Sequence, residues 1–195
     1  MPSLSVSLES ESDLMTTLTQ SLDRSRLITV VGIVGFAAAL AAGSQVAIPI
    51  PGTPVPITLQ PFLVVLAGMM LGPVAGASSM LLYIAAGMSG LPVWAPIGAP
   101  GIARLVGPTG GYIIAYPAAA WVAGALARRS TSVLARWGAA VAGVLVLYFG
   151  GLAQLSFFAH GVVNAVKIGV TPFALLDGGK ALVAAAISGK RQQGV

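Results

Sequence analysis

Two charged residues three positions apart, Asp177 and Lys180, lie inside an apolar segment near the end of the chain. Residues at this spacing share one face of a helix. In a bilayer, a carboxylate at the centre of a helix costs about 2.5–3.5 kcal/mol on insertion scales, so it normally faces the protein interior and has a partner. The pair indicates either an ion pair that fixes this helix in a bundle or the polar wall of a binding pocket.

Arg104, in a connection rich in proline and glycine from Ser89 to Pro108, favours the pocket. With Asp177 and Lys180 it would give a site of net charge +1, which suits an anionic ligand. Arginine binds a carboxylate through two parallel hydrogen bonds, and aspartate accepts hydrogen bonds from N–H donors. The three residues predict a small ligand with a carboxylate at one end and N–H groups elsewhere.

Other side chains could complete such a pocket. Gln60 either offers its amide to the ligand or merely follows Thr58, which would cap the helix. Asn164 is a pocket candidate, whereas the lone His160 more often makes an interior hydrogen bond. The remaining lining should be apolar and aromatic, with candidates Trp94, Tyr83 and Tyr112.

Catalytic and metal chemistry have little support in the sequence. The segment from Asp177 to Lys180 resembles the end of a phosphate loop, but Ala174 and Ala181 stand where that motif needs Gly and Ser or Thr. One histidine and no cysteine leave no common metal site, and no Ser–His–Asp set is indicated. We therefore expect no catalytic residue, no metal ligand and no cofactor.

The composition is typical of a membrane protein. The 195 residues are 56% hydrophobic and only 8% charged, compared with about 25% charged in soluble domains. No Lys, Arg, Asp or Glu occurs between Arg26 and Arg104. The net charge of +5 comes from basic residues beside apolar segments, not from a basic face with stacking aromatics, so nucleic acid is not an expected partner.

The apolar segments predict an all-α membrane protein with six transmembrane helices. The apolar stretch 61–89 is too long for one span of about 30 Å, and Gly72-Pro73 should divide it, because proline breaks a helix. The predicted spans are Leu27–Val46, Leu59–Leu71, Val74–Gly87, Gly110–Ala127, Val133–Ala159 and Pro172–Ser188.

Basic residues orient these spans. Cytoplasmic loops carry an excess of Lys and Arg, and six spans place seven of the ten on one side: Arg24, Arg26, Arg128, Arg129, Arg136, Lys190 and Arg191. Both termini are then cytoplasmic, with a polar tail 1–26, a membrane domain 27–189 and a basic tail 190–195. The connections Ile48–Thr58 and Ser89–Pro108 lie outside, and the second is predicted to form a lid over the outer mouth.

Small residues recur in the first span at spacings that let helix backbones approach closely. They include Gly35, Ala38, Ala39, Ala42 and Gly43. Either they pack inside the bundle or they form a docking face for another membrane protein.

Four segments together resemble the BioY family, the biotin-specific components of energy-coupling-factor (ECF) transporters. They are IPIPGTPVPITLQPF (48–62), AGMMLGPVAGASSMLLYIAAGMSGLPVWA (67–95), LVGPTGGYIIAYP (105–117) and PF…DGGKAL (172–182). The resemblance implies six membrane helices in the plasma membrane and capture of biotin from outside, with Arg104, Asp177 and Lys180 as its polar contacts.

The resemblance also implies partners. It predicts a transmembrane coupling protein and two ATPase subunits that use ATP in place of this chain, with Ala38 and Ala42 matching the family's AxxxA docking motif. A homo-oligomer stays open. The alternatives are a component for another small carboxylated vitamin, a membrane-embedded enzyme and, least favoured, a channel.

Overall fold

The computed structural model describes the backbone of residues 3–192 and the side chains of residues 24–189. This part of the chain is all-helical, apart from one isolated bridge between Ile48 and Ile57. Its helices are α1 (Ser3–Gln45), α2 (Gln60–Leu71), α3 (Pro73–Met88), α4 (Ala103–Val106), α5 (Gly110–Ala127), α6 (Val133–Phe158), α7 (Val162–Gly169) and α8 (Ala174–Gln192). The prediction of an all-α membrane protein is confirmed in this coarse form.

Among the described residues, three helical segments are long and apolar enough to cross a membrane: Arg24–Gln45, Gly110–Ala127 and Val133–Phe158. A fourth candidate is the pair Val162–Gly169 and Ala174–Gly189, which is bent by 57°. The helices α2 and α3 are apolar but shorter. The sequence did not predict α4 or α7, because each is only one or two turns long inside a connection.

The break between α2 and α3 lies where the sequence predicts it. Gly72 has a φ of +87°, a conformation that side chains other than glycine rarely adopt, and Pro73 is the first residue of α3. The chain turns back at this point, since a side chain at Gly76 would press against Gly68. The 61–89 stretch is therefore two short helices packed on each other.

Small residues bring the helices of the bundle close together. A methyl group at Gly68 would collide with the carbonyl oxygen of Ala120 in α5, and Gly143 in α6 faces Ala119 and Ala123. The helix backbones therefore approach closely, so α5 packs against α2, α3 and α6.

The small residues of α1 divide between two faces. Gly43 is buried, and a side chain there would meet Leu63. In contrast, Gly35, Ala38 and Ala42 are exposed. The small residues of α1 thus include an interior packing position, Gly43, and exposed positions, with Ala38 and Ala42 on the outward face.

Candidate functional site

A cavity opens at one end of the bundle, where the two long connections meet the starts of α2, α5 and α8. Its empty volume is about 720 Å³, including the open mouth. The lining combines apolar walls with polar groups from six helices and both connections. It contains Val55, Pro56, Thr58, Gln60, Pro61, Tyr83, Trp94, Ala95, Arg104, Thr109, Tyr112, Ile113, Tyr116, Leu147, Tyr148, Gly169, Phe173, Asp177 and Lys180.

The carboxylate of Asp177 is engaged on both oxygens. Lys180 Nζ donates to Oδ1 over 2.9 Å, and the Tyr148 hydroxyl donates to Oδ2 over 2.9 Å. Lys180 also donates to the Thr58 carbonyl oxygen over 2.8 Å, which ties α8 to the start of α2. Asp177 is buried, yet each oxygen keeps acceptor capacity for a ligand donor.

A second polar chain crosses the cavity wall from α2 to α3. Gln60 Nε2 donates to the Tyr83 hydroxyl over 2.8 Å, and that hydroxyl donates to the Val93 carbonyl oxygen over 3.0 Å. The Thr58 hydroxyl completes the chain by accepting from the Gln60 backbone N–H over 3.2 Å. Thr58 does not cap α2 as expected, because Leu59 is the N-cap residue and has no side-chain cap hydrogen bond. Gln60 lines the cavity.

Arg104 supplies a cation that no carboxylate neutralises within the described side chains. Its two Nη groups donate to the carbonyl oxygens of Ala95 and Ile97, and its buried Nε has no hydrogen-bond partner among residues 24–189. Burial lowers the pKa of Arg104 from its usual value, but arginine starts so high that it stays protonated at neutral pH. The site thus holds one ion pair and one further positive charge.

Aromatic rings form the rest of the wall. All four tyrosines of the chain line the cavity. The Tyr83 and Trp94 rings meet edge to face at 5.0 Å between centroids, and Trp94 Nε1 donates to the Gly101 carbonyl oxygen over 3.0 Å. A side chain at Gly87 would collide with the Trp94 ring, so this glycine makes room for it.

The connections Ile48–Thr58 and Ser89–Pro108 cover part of the cavity. In the first, the Thr53 hydroxyl donates to the Ile168 carbonyl oxygen of α7 over 2.7 Å, which fastens the loop that carries Val55 and Pro56. In the second, the Ser44 hydroxyl of α1 donates to the Val93 carbonyl oxygen over 2.6 Å, beside Trp94. The connection Ser89–Pro108 covers part of the cavity through Trp94, Ala95 and Arg104.

Six of the seven predicted ligand contacts come together around this cavity: Arg104, Asp177, Lys180, Gln60, Tyr83 and Trp94. Asn164 does not, because the chain turns at His160 and Gly161, both at positive φ, and starts the separate helix α7. Asn164 is exposed there. Tyr112, named as an aromatic candidate, is in the lining, and His160 is exposed and outside it.

Several lining residues were not predicted, notably Tyr116, Tyr148, Thr109 and Phe173. One signal was available, since a tyrosine in a membrane helix needs a partner for its hydroxyl. Tyr148 satisfies that need with Asp177, 29 positions along the chain. Which tyrosine meets which carboxylate depends on helix rotation, so spacing alone could not reveal the pair.

Comparison with known proteins gives consistent matches. The family model described as BioY matches residues 15–195. A probable biotin transporter BioY from Pyrococcus horikoshii is 42% identical over 157 residues, covering 80% of this chain and 91% of that protein. The biotin transporter BioY of Thermotoga maritima is 37% identical over 153 residues, covering 78% and 89% of the two chains.

A solved structure is also similar. It is the crystal structure of the S-component for biotin from an ECF-type ABC transporter. The TM-score is 0.80 at 26% sequence identity, over 88% of this chain and 94% of the other.

Proposed function

The chain belongs to the BioY family, and on that premise we propose that it captures biotin for uptake, as the membrane-embedded S component of an ECF-type transporter. One observation carries the proposal: the Asp177–Lys180 pair and the separate cation Arg104 line one aromatic-walled cavity. Biotin has a matching layout, with a carboxylate at the end of an apolar chain and two ureido N–H groups on a fused ring system.

Arg104 takes the carboxylate. Lys180 is already paired with Asp177 over 2.9 Å, whereas Arg104 has a buried Nε with no partner among the described residues. A ligand carboxylate would supply the negative charge that Arg104 lacks among the described residues. Asp177, with one hydrogen bond on each oxygen, accepts from the ureido N–H groups.

The apolar part of the ligand packs on rings. The Tyr83 and Trp94 rings pack edge to face in the cavity wall. Gln60 of α2 holds this wall by its hydrogen bond to the Tyr83 hydroxyl. A rigid aromatic surface gives large apolar contact with little loss of side-chain freedom. These side chains hold the ring system of biotin between the two polar ends of the site.

The membrane domain crosses the bilayer six times, and both termini are cytoplasmic. The six spans are the three long helices, the bent pair and the two short helices α2 and α3. The orientation is supported by Arg128, which packs against Gly72, and by Arg136, which donates to the Ala185 carbonyl oxygen. Both lie at the helix ends opposite those that form the cavity, in keeping with the positive-inside tendency.

The tails 1–26 and 190–195 flank this domain on the cytoplasmic side of the plasma membrane. The side chains of residues 1–23 and 190–195 lie outside the described part. The cavity mouth then faces outwards, where the vitamin is captured.

ATP is used by partners, a transmembrane coupling protein and two ATPase subunits. The chain has no phosphate-loop motif, since Ala181 follows Lys180. Ala38 and Ala42 are exposed on α1, four residues apart, so another helix can approach its backbone closely there. This face of α1 docks the coupling protein.

Binding of labelled biotin to the purified protein tests the proposal. We expect tight binding by the wild type and strong weakening by Asp177→Asn and by Arg104→Ala. The matched control is Asn164→Ala, which removes a polar side chain outside the cavity. Absence of biotin binding in the wild type would refute the function, and unchanged affinity in both variants would refute the site. A thermal-shift screen of other carboxylated vitamins would reveal a different ligand.

A further inference from the structure

Gln154 of α6 connects the loop that carries Arg104 to the helix bundle. Its side-chain nitrogen donates to the Leu105 carbonyl oxygen over 2.8 Å and to the Gly107 carbonyl oxygen over 2.7 Å. Leu105 directly follows Arg104, and Gly107 follows the last residue of α4. Gln154 is not in the cavity lining, so it can affect the ligand only through its neighbours. Its hydrogen bonds go to the Arg104 loop.

The chemistry of this contact requires an amide. One NH₂ group carries two hydrogens, and each serves one carbonyl oxygen. A methionine or leucine would leave both carbonyls without this donor, and a glutamate would set carboxylate oxygens against carbonyl oxygens. Glutamine is therefore suited to the two carbonyl acceptors, those of Leu105 and Gly107.

The start of α5 leaves room for Gln154 to reach the loop. A side chain at Gly110 would collide with the Leu105 carbonyl oxygen and lie 2.8 Å from Gln154 Nε2. A side chain at Gly111 would collide with the Gly150 carbonyl oxygen and lie 2.8 Å from Gln154 Cβ. The Gly110-Gly111 pair thus lets α6 come close enough for the amide contact.

The two halves of the Ser89–Pro108 connection are anchored differently. The half around Val93 and Trp94 is tied to α1 by Ser44 and Gln45. The Arg104 guanidinium donates to Ala95 and Ile97, which joins the loop to itself and to no helix. Within residues 24–189, Gln154 is the side chain that hydrogen-bonds the Arg104 half to a long helix of the bundle.

We infer that Gln154 is a positioning residue for recognition of the ligand carboxylate, and that it acts by fixing the backbone that presents Arg104. The inference rests on the proposed binding of biotin through Arg104. Small displacements of the Arg104 guanidinium would weaken ligand binding strongly, because the two hydrogen bonds from a guanidinium to a carboxylate depend on its direction.

Equilibrium binding of biotin and of biotinamide, in which a neutral amide replaces the carboxylate, tests the inference. We expect Gln154→Leu and Gln154→Met to raise the Kd for biotin about tenfold and to change the Kd for biotinamide by less than about twofold. In the Arg104→Ala background, Gln154→Leu should add less than about twofold for biotin. The control is Ser156→Ala on the same helix, whose hydroxyl donates only to the Ala153 carbonyl oxygen, over 3.0 Å.

Equal weakening of both ligands, or the same weakening with and without Arg104, would make Gln154 a general packing residue and overturn the inference. Unchanged biotin affinity in both Gln154 variants, or failure of both to fold, would overturn it too. If Arg104→Ala itself leaves biotin binding unchanged, the proposed contact of Arg104 fails together with the inference. If Arg104→Ala weakens binding while the Gln154 variants do not, only the inference fails.

Discussion

The two ends of the bundle are built by different means. At the cavity end, side-chain hydrogen bonds link distant segments, as in Tyr148 to Asp177 and Lys180 to Thr58. At the opposite end, the backbones of α2, α3 and α5 meet through Gly68, Gly76 and Gly124. Polar side-chain partners dominate the first end. Close backbone contact dominates the second, beside the hydrogen bond from Arg136 to the Ala185 carbonyl oxygen.

This difference separates recognition from packing. Polar groups in a membrane bundle need partners, so they gather where they can also meet a ligand. Small residues need no partner and hold helices by close contact alone. Changes at the cavity end should therefore alter affinity, and changes at the glycine end should alter stability.

The largest effect is expected at the glycine end, from Gly68→Ala. The added methyl group would collide with the backbone of Ala120, which cannot turn aside as a side chain can. We expect the Tm to fall by about 5–10 °C. Thermal unfolding of the purified protein measures this effect. The control is Gly35→Ala, where the methyl group meets nothing within 4 Å, and a Tm within about 1–2 °C of the wild type is expected. Equal effects of the two changes would contradict the close-packing account.

A smaller effect, on affinity alone, is expected from Arg104→Lys at the cavity end. The lysine ammonium keeps the positive charge. It lacks the planar guanidinium, which donates hydrogen bonds to the Ala95 and Ile97 carbonyl oxygens and can also bind a carboxylate. The Kd for biotin should rise about tenfold, with little change in Tm. Arg128→Lys, the same change at the opposite end, should leave the Kd unaltered. If both changes weaken binding alike, the two ends are not functionally distinct.

The smallest effect is expected from Tyr148→Phe, which removes one of the two hydrogen bonds to Asp177. Lys180 still pairs with the carboxylate, so we expect the Kd for biotin to rise only about fivefold. Titration calorimetry measures it beside Phe149→Leu, a change at the neighbouring exposed side chain. A loss as large as that of Asp177→Asn would mean that Tyr148 contacts the ligand itself.

Much of the fold follows from local sequence. The break at Gly72-Pro73 is predicted because proline cannot continue a helix and glycine accepts positive φ, and both features are present. The start and end of α5 agree with the predicted span Gly110–Ala127. The position of α7 could not be predicted in this way, because the turn at His160 and Gly161 carries no proline and only one glycine.

The charged residues of the candidate site could be predicted from the sequence, and its neutral residues less so. Arg104, Asp177 and Lys180 stand out because charge is rare in this chain. Tyr116 and Tyr148 do not stand out, because an aromatic residue on a membrane helix can face lipid, a neighbouring helix or a cavity. Asn164 is exposed and lies outside the cavity lining, because its direction depends on a bend that its own residue type does not signal.

The sequence by itself determined that this is a membrane protein, that it is helical and where its helices break. It also determined the few charged residues, which a bilayer would exclude unless they face the protein interior. These depend on composition and on neighbours along the chain. Only the tertiary structure decided that the Asp177–Lys180 pair shares a cavity with Arg104, that Tyr148 completes the Asp177 contacts, and that Gln154 secures the Arg104 loop. Such contacts join residues 29 to 49 positions apart, and helix rotation and crossing, which set them, arise from packing between helices and are not encoded in any one segment.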